Sequence, residues 1–146
     1  MSTKNSLPKE DFSYMVMPWT FFDFVTVRGD GERVNEIHTW LNSKDVTKGA
    51  KAKINARVLT LQGFPIFPDQ YFSAYRGWPG LYELRIVCSG VQYRPFGFYG
   101  PKQKQFTLLV GSLEKGKIPK STLKVADERR KIVIADPSRI DPHDQS

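Results

Sequence analysis

The sequence predicts a small α+β protein, in which an N-terminal strand, an α-hairpin and a C-terminal helix pack on one face of a small antiparallel sheet. Segments with the two-residue period of strands alternate with segments of helical period. The order is strand, helix, helix, three strands, helix, and the short turns between the last three strands favour an antiparallel meander. Of 146 residues, 40% are hydrophobic and 13% aromatic, which is enough for one core.

The chain is predicted to form a single domain at residues 19–136, between a polar arm at 1–18 and a frayed polar tail at 137–146. Its apolar runs are far too short to cross a bilayer, and the first residues lack the apolar segment of a signal peptide. The single cysteine, Cys88, has no partner for an internal disulfide, and we expect it to be buried. These features predict a cytoplasmic protein that has no membrane partner.

The first half of the domain begins with a strand at 19–29, which is rich in aromatic and β-branched residues and ends in a glycine-containing turn. Apolar residues then recur at helical spacing over 31–43, where Glu32 suits the start of a helix. A second helix is predicted within 44–63. The two helices would form an α-hairpin through a loop at 42–47.

The second half begins with an ordered connector at 64–80, which is packed by its own aromatic rings. A hairpin at 82–100 precedes a strand at 104–113, whose nearly continuous apolar run is typical of a strand buried on both faces. The last helix is predicted between an N-cap at Ser121 and a stop at Asp136.

The hairpin carries two arginines where like charges should not meet. With its turn centred on Ser89 and Gly90, Arg85 lies opposite Arg94, and directly opposed like charges destabilise a sheet. The pair therefore needs a negative group, which is either a bound phosphate or a carboxylate of this chain. The internal candidates are Glu83, Glu114 and Asp127. Pro95 could shift the register and separate the two arginines.

Positive charge is concentrated in the second half of the chain. The net charge is +7, and eleven basic residues face three acidic ones between Arg85 and Lys131. Such a cluster indicates a nucleic-acid-binding surface, a surface for an acidic protein, or a solvated face. Lys115 and Lys117 are predicted to lie near the arginine pair at the sheet edge. The candidate RNA contacts are Lys102, Lys104, Lys120 and Lys124.

Other sites are less well supported. With two histidines and one cysteine the sequence has no zinc-site spacing, and no nucleophile or phosphate-loop motif is present, so we expect no metal and no cofactor. The basic face of the second helix, which includes Lys53 and Arg57, is interpreted as solvated surface. The aromatic residues of the 64–80 connector are interpreted as core rather than as stacking surfaces.

Two segments, "GLYELRIVCSGVQYRPFGFYG" and "FTLLVGSLEKGKIPKSTLKVADERR", resemble the RelE/HigB-like toxins of bacterial type II toxin-antitoxin systems, in particular the phage-derived branch of the RelE/ParE superfamily. The resemblance is close over residues 81–130 and looser before them. It implies a RelE-like α+β fold and translation inhibition by ribosome-dependent, metal-independent cleavage of mRNA. It also implies a cognate antitoxin as a partner, beside mRNA and the ribosome.

The same resemblance assigns roles to individual residues. Arg85 matches a basic position of the first hairpin strand, Arg94 matches the arginine that holds the scissile phosphate, and Lys115 or Lys117 matches the basic residue after the last long strand. These residues would stabilise the charge that develops when the ribose 2′-hydroxyl attacks the phosphate. No general base is evident. The alternative is a non-nuclease binding module of the same fold, either a gyrase-type inhibitor or a phage protein that binds a host factor.

Overall fold

The computed structural model describes residues 19–114 and 117–145, with only the backbone of Glu114. The predicted arm at 1–18 and Lys115 lie outside the described residues. The helices of the described part are α1 (Glu36–Leu41), α2 (Lys48–Gln62) and α3 (Lys120–Ala135). Its strands are β1 (Thr20–Val27), β2 (Arg33–Asn35), β3 (Phe72–Ala74), β4 (Tyr82–Leu84), β5 (Ile86–Cys88), β6 (Val91–Tyr93), β7 (Phe96–Tyr99), β8 (Gln105–Val110), β9 (Leu113–Glu114) and β10 (Ile140–Pro142).

The strands form a large sheet and a small one. In the seven-stranded sheet the order is β10-β1-β8-β7-β4-β3, and β2 also pairs with β1. All of these pairs are antiparallel except β1 with β8, which is parallel. The three-stranded sheet has the order β9-β6-β5 and is antiparallel. A mostly antiparallel sheet with three helices confirms the predicted α+β class. No described helix is both long enough and apolar enough to span a membrane.

Strand β8 lies between β1 and β7 at the centre of the large sheet. Four consecutive residues, Phe106, Thr107, Leu108 and Leu109, have no exposed surface. This confirms that the apolar run is a strand buried on both faces.

The helices cover both faces of the sheet, which corrects the prediction that they gather on one. Phe21 and Phe24 lie three residues apart on β1, and therefore on opposite faces. Phe21 packs in a core with α1, α2 and Cys88, while Phe24 packs in a second core with Leu123 of α3. The strands supply buried aromatic rings to both faces, and each face needs its own cover. The helix arrangement therefore differs from the one-sided packing that we expected.

The chain between β1 and α1 also differs from the prediction. Residues 33–35 pair with β1 as strand β2 instead of beginning a helix, because the turn at 29–31 folds them back onto the sheet. The helix starts at Glu36, where the Asn35 side chain accepts a hydrogen bond from the His38 backbone N–H at 2.8 Å. The loop at 42–47 joins α1 to α2 as predicted.

The ends of α3 agree with the prediction only in part. The helix ends at Ala135 with Asp136 as its C-cap, as predicted. It starts at Lys120, one residue before the predicted N-cap Ser121, and Pro119 occupies the cap position without a side-chain hydrogen bond. Proline is favourable there because its φ is already fixed and it has no N–H to satisfy.

The segment after α3 is ordered and not the frayed tail that we predicted. Strand β10 pairs with β1, and the His143 side chain that follows it is only 1% exposed. Its Nδ1 lies 2.8 Å from Asp23 Oδ1, and its Nε2 lies 2.8 Å from Asn55 Oδ1. Polar composition predicted solvent exposure, but these side chains satisfy one another inside the protein.

Candidate functional site

The hairpin that carries the two arginines bends from the large sheet into the small one. Both residues of its turn, Ser89 and Gly90, have positive φ, 52° and 77°, as in the tight turns that match strand twist. The register is the same on both sides of the bend. The paired residues are Tyr82 with Gly97, Glu83 with Phe96, Ile86 with Tyr93, Val87 with Gln92 and Cys88 with Val91.

Arg85 and Arg94 occupy the bend itself, across from each other, as predicted. Their backbone N–H groups do not pair with each other but donate to the carbonyls of Tyr71 at 3.0 Å and Ser112 at 2.8 Å. Pro95 accepts a hydrogen bond from the Leu84 N–H at 2.9 Å and does not shift the register.

A carboxylate of the chain lies between the two guanidinium groups. Glu83, whose side chain is 7% exposed, accepts a hydrogen bond from Arg94 Nε at 2.7 Å and also contacts Arg94 Nη2. Its other oxygen lies 3.4 Å from Arg85 Nη1. We call Glu83, Arg85 and Arg94 the arginine–glutamate cluster. Because Glu83 contacts both arginines, the structure contains the internal ion pair that was the alternative to a bound phosphate.

Arg85 has further partners beside Glu83. Its Nη1 donates to Ser73 Oγ at 2.5 Å, and its Nη2 donates to the Asp69 carbonyl. These bonds tie the hairpin to β3 and to the preceding loop. The guanidinium of Arg94 lies 5.9 Å from the centre of the Tyr75 ring. The cluster therefore holds three segments of chain together at the bend.

Of the other two predicted carboxylates, Asp127 does not reach the bend. Asp127 pairs along α3 with Arg130 at 3.0 Å and with Lys131 at 3.2 Å. Although burial opposes it, hydrogen bonds from these two cations hold the pKa of Asp127 below its usual range. The side chain of Glu114 lies outside the described residues.

The predicted lysines are dispersed. Lys117, Lys120 and Lys124 are exposed before and along the start of α3. Lys102 and Lys104 are exposed in the turn between β7 and β8, at the end of β7 away from Arg94. The predicted RNA-contacting residues therefore do not form one continuous surface with the arginines.

A second group of cations lies beside the hairpin, along β5, the last strand of the small sheet. Lys53, Arg57 and Thr60 of α2 line a groove of about 350 Å³ together with Tyr71 and the exposed Val87 of β5. We call this the basic groove. Arg57 lies 4.0 Å from the centre of the Tyr71 ring and donates to the Arg85 carbonyl at 2.6 Å. Lys53 Nζ donates to the Val87 carbonyl at 3.4 Å.

The basic groove has an uncompensated positive charge. None of its described lining residues is acidic, and within residues 19–114 and 117–145 Lys53 and Arg57 contact carbonyl groups and a ring. Burial lowers the pKa of Arg57, while Tyr71 acts in the opposite direction. A partly desolvated cation gains more from an incoming anion than a fully hydrated one. The groove is therefore suited to a phosphate group.

The sequence pattern predicts that Lys53 and Arg57 lie on a solvated helix face and Tyr71 in a connector. Nothing in the helical period distinguishes a lysine or arginine in a groove from one on an open face, because the difference depends on the connector that packs beside it. One feature of the sequence could have indicated the groove: a tyrosine follows two basic helical residues in a chain of high positive charge.

The fold and the groove together define a mixed α+β protein with an open, basic surface site. Comparison of the chain with known protein families, with curated protein sequences and with solved structures finds no match. Within residues 19–114 and 117–145, no three His, Cys, Asp or Glu side chains gather as a metal site would require.

Proposed function

We propose that this protein acts on RNA as a toxin of the RelE/HigB-like kind, inhibiting translation by cutting mRNA on the ribosome. The observation that carries the proposal is the basic groove, where Lys53 and Arg57 lie against the hairpin strand and lack an acidic partner among the described residues that line the groove. The motif resemblance supplies the reaction class. The scissile phosphate would then bind in the basic groove and not at the arginine pair.

In this reaction the ribose 2′-hydroxyl attacks the adjacent phosphorus, and the bond from phosphorus to the 5′-oxygen of the next nucleotide breaks. Arg57 and Lys53 would stabilise the negative charge that builds on the phosphate oxygens. Tyr71 and Lys53 are the groups of the groove that can exchange a proton with the attacking or leaving oxygen. The arginine–glutamate cluster has a positioning role, since Arg57 binds the Arg85 carbonyl.

A second candidate function is a binding module of similar architecture that has no nuclease activity. It is favoured by one observation, the contact of Glu83 with both arginines, because these guanidiniums are the groups that the family resemblance assigns to the phosphate. Such a module would use its basic surface to occupy a host factor or a nucleic acid without cleaving it.

Purified protein incubated with translating ribosomes and a defined mRNA tests the two candidates. New mRNA 5′ ends, mapped by primer extension, are expected only when ribosomes are present. The site is tested with Arg57→Gln, which should abolish the new ends. Arg28→Gln is the matched control, because Arg28 is exposed and pairs only with Glu32, at 2.9 Å, among the contacts of the described residues.

The results separate the hypotheses. Growth arrest without new mRNA ends would support the binding module. An Arg57→Gln protein with full cleavage activity would rule out the basic groove as the reacting site.

Because a toxin of this kind needs a neutralising protein, co-expression of the protein encoded beside it should restore growth. Failure to restore growth would argue against an antitoxin pair.

A further inference from the structure

A second surface cavity lies at the far end of β7, in the turn that leads into β8. It has a volume of about 460 Å³, within the range of small-ligand sites, and its walls include Trp19, Tyr99, Lys102 and Lys104. We call it the aromatic–lysine pocket. It shares no lining residue with the basic groove.

The aromatic wall of this pocket is fixed by packing. The Trp19 and Tyr99 rings lie 5.2 Å apart, and both contact the buried Phe67 ring, at 5.2 Å and 5.7 Å. The indole N–H of Trp19 donates to the Pro65 carbonyl at 3.0 Å. Tyr99 nevertheless remains 41% exposed. The rings are thus held in place while part of their surface faces the solvent, as in a stacking site for a base.

The turn residues add positive charge in a defined position. Lys104 adopts a positive φ of 65°, and its carbonyl accepts a hydrogen bond from the Thr20 N–H at 2.9 Å. Its ammonium lies 5.4 Å from the centre of the Trp19 ring. Lys102 is anchored through its N–H, which donates to Gln105 Oε1 at 3.1 Å. No acidic residue is among the described residues that line the pocket.

Tyr99 also offers a hydrogen-bond donor. Burial, together with the neighbouring Tyr82, raises the pKa of Tyr99 to about 12. The hydroxyl is therefore protonated at neutral pH. Flat rings, two cations and a donor are the features that recognise a base and its phosphate together.

We propose that the aromatic–lysine pocket binds one nucleotide of single-stranded RNA, with the base against Trp19 and Tyr99 and the phosphate at Lys102 and Lys104. The choice of RNA rests on the proposed function, since stacking and phosphate binding are common to RNA and DNA. The pocket would hold the strand at a distance from the groove, so that the two sites contact different nucleotides.

The test uses the full chain, without ribosomes, and a fluorescently labelled RNA tetra-adenylate whose anisotropy is measured at increasing salt. The double variant Lys102→Ala/Lys104→Asn should lower the salt dependence, the slope of log K against log salt, by about 0.7 because the phosphate contact of the pocket is lost. Asparagine tolerates the positive φ at position 104. Lys44→Ala/Lys48→Ala removes the same charge from exposed residues elsewhere and should leave the slope nearly unchanged.

A change in the ligand tests the rings without altering the protein. A tetramer of the same charge with abasic sugars should bind about tenfold more weakly than tetra-adenylate, because it cannot stack. Trp19→Leu should produce a similar loss, and its melting curve shows whether it has folded. If Trp19→Leu does not fold, the abasic ligand still decides the question.

Equal binding of the abasic and adenine tetramers would overturn the stacking assignment, and equal slopes for the two double-lysine variants would overturn the phosphate assignment. Tighter binding of a DNA tetramer than of the RNA would overturn the choice of RNA. Failure of the ribosome assay does not affect this measurement, and absence of tetramer binding leaves the cleavage result intact.

Discussion

The two cationic sites at the arginine hairpin hold their positive charges in opposite ways. In the arginine–glutamate cluster, Glu83 lies between Arg85 and Arg94, which are 29% and 13% exposed. In the basic groove, Lys53 and Arg57 bind neutral groups of the described chain, namely two carbonyls and the Tyr71 ring. Arg85 connects the two, because its side chain belongs to the cluster and its carbonyl binds Arg57. Local charge density therefore does not identify an anion site; the position of the nearest carboxylate does.

The largest effect is expected for Arg94→Ala. It would leave Glu83 buried with only the longer contact from Arg85, and breaking a buried ion pair typically costs about 3–5 kcal/mol. Urea denaturation should show this loss. The comparison variant is Arg28→Ala, at an ion pair whose side chains are 61% and 57% exposed, where less than about 1 kcal/mol is expected. If Arg94→Ala were as stable as the parent protein, the result would favour phosphate binding by Arg94 over a structural ion pair.

A similar loss is expected where another buried carboxylate has a basic partner. Asp23 is 1% exposed, and its Oδ1 lies 2.8 Å from His143. His143→Ala should lower the free energy of unfolding by about 3 kcal/mol, since Asp23 would then be left with the Asn35 amide, at 3.1 Å, as its side-chain partner in the described part of the chain. Chemical denaturation measures the change. His38→Ala, at an exposed histidine of α1, is the control and should change stability little.

Arg57→Gln should affect function much more than stability. Its contact with the Tyr71 ring and its hydrogen bond to the Arg85 carbonyl predict a loss of about 1 kcal/mol in unfolding free energy. Growth inhibition on expression should nevertheless disappear if the groove binds the phosphate. A strongly destabilised protein would instead show that Arg57 is structural, as the arginines of the cluster are, and the contrast between the two sites would be lost.

The smallest effect concerns Tyr99 at high pH. Its pKa is raised from 10 to about 12, so the folded protein holds this proton more tightly than the unfolded chain. The resulting stabilisation is complete below pH 10 and is lost as the pH rises towards 12. Tyr99→Phe should therefore lose less stability than the parent protein over this range in thermal melts. Equal pH dependence of the two proteins would mean that Tyr99 titrates as an exposed tyrosine.

The sequence predicted those features that depend on local pattern. The continuous apolar run of β8, the loop at 42–47 and the register that places Arg85 across from Arg94 all follow from period and turn chemistry. It even identified Glu83 as one of three carboxylates that could neutralise the pair. Selecting between Glu83 and Asp127 required the fold, because Asp127 is on α3, where it pairs with Arg130 and Lys131.

The features that the sequence did not predict depend on contacts between distant residues. The groove forms only when the connector brings Tyr71 beside Arg57. The polar segment at 137–145 is ordered because β10 pairs with an edge of β1 and His143 binds the buried Asp23. The prediction that the helices pack on one face was wrong because Phe21 and Phe24 of β1 are buried on opposite faces of the sheet.

The pairing of β1 has a consequence for folding kinetics. One of its edges pairs with β8 and, further along, with β2. The other edge pairs with β10, whose following residue His143 contacts Asp23 across 120 positions of sequence. Closing such a long loop costs conformational entropy before the contacts that stabilise it have formed. The pairing of β1 with β10 therefore forms slowly. During that time β1, with its four aromatic or β-branched residues at 24–27, has an unpaired edge. Dilute protein should therefore refold more completely than concentrated protein, because an open apolar edge can pair with another chain first.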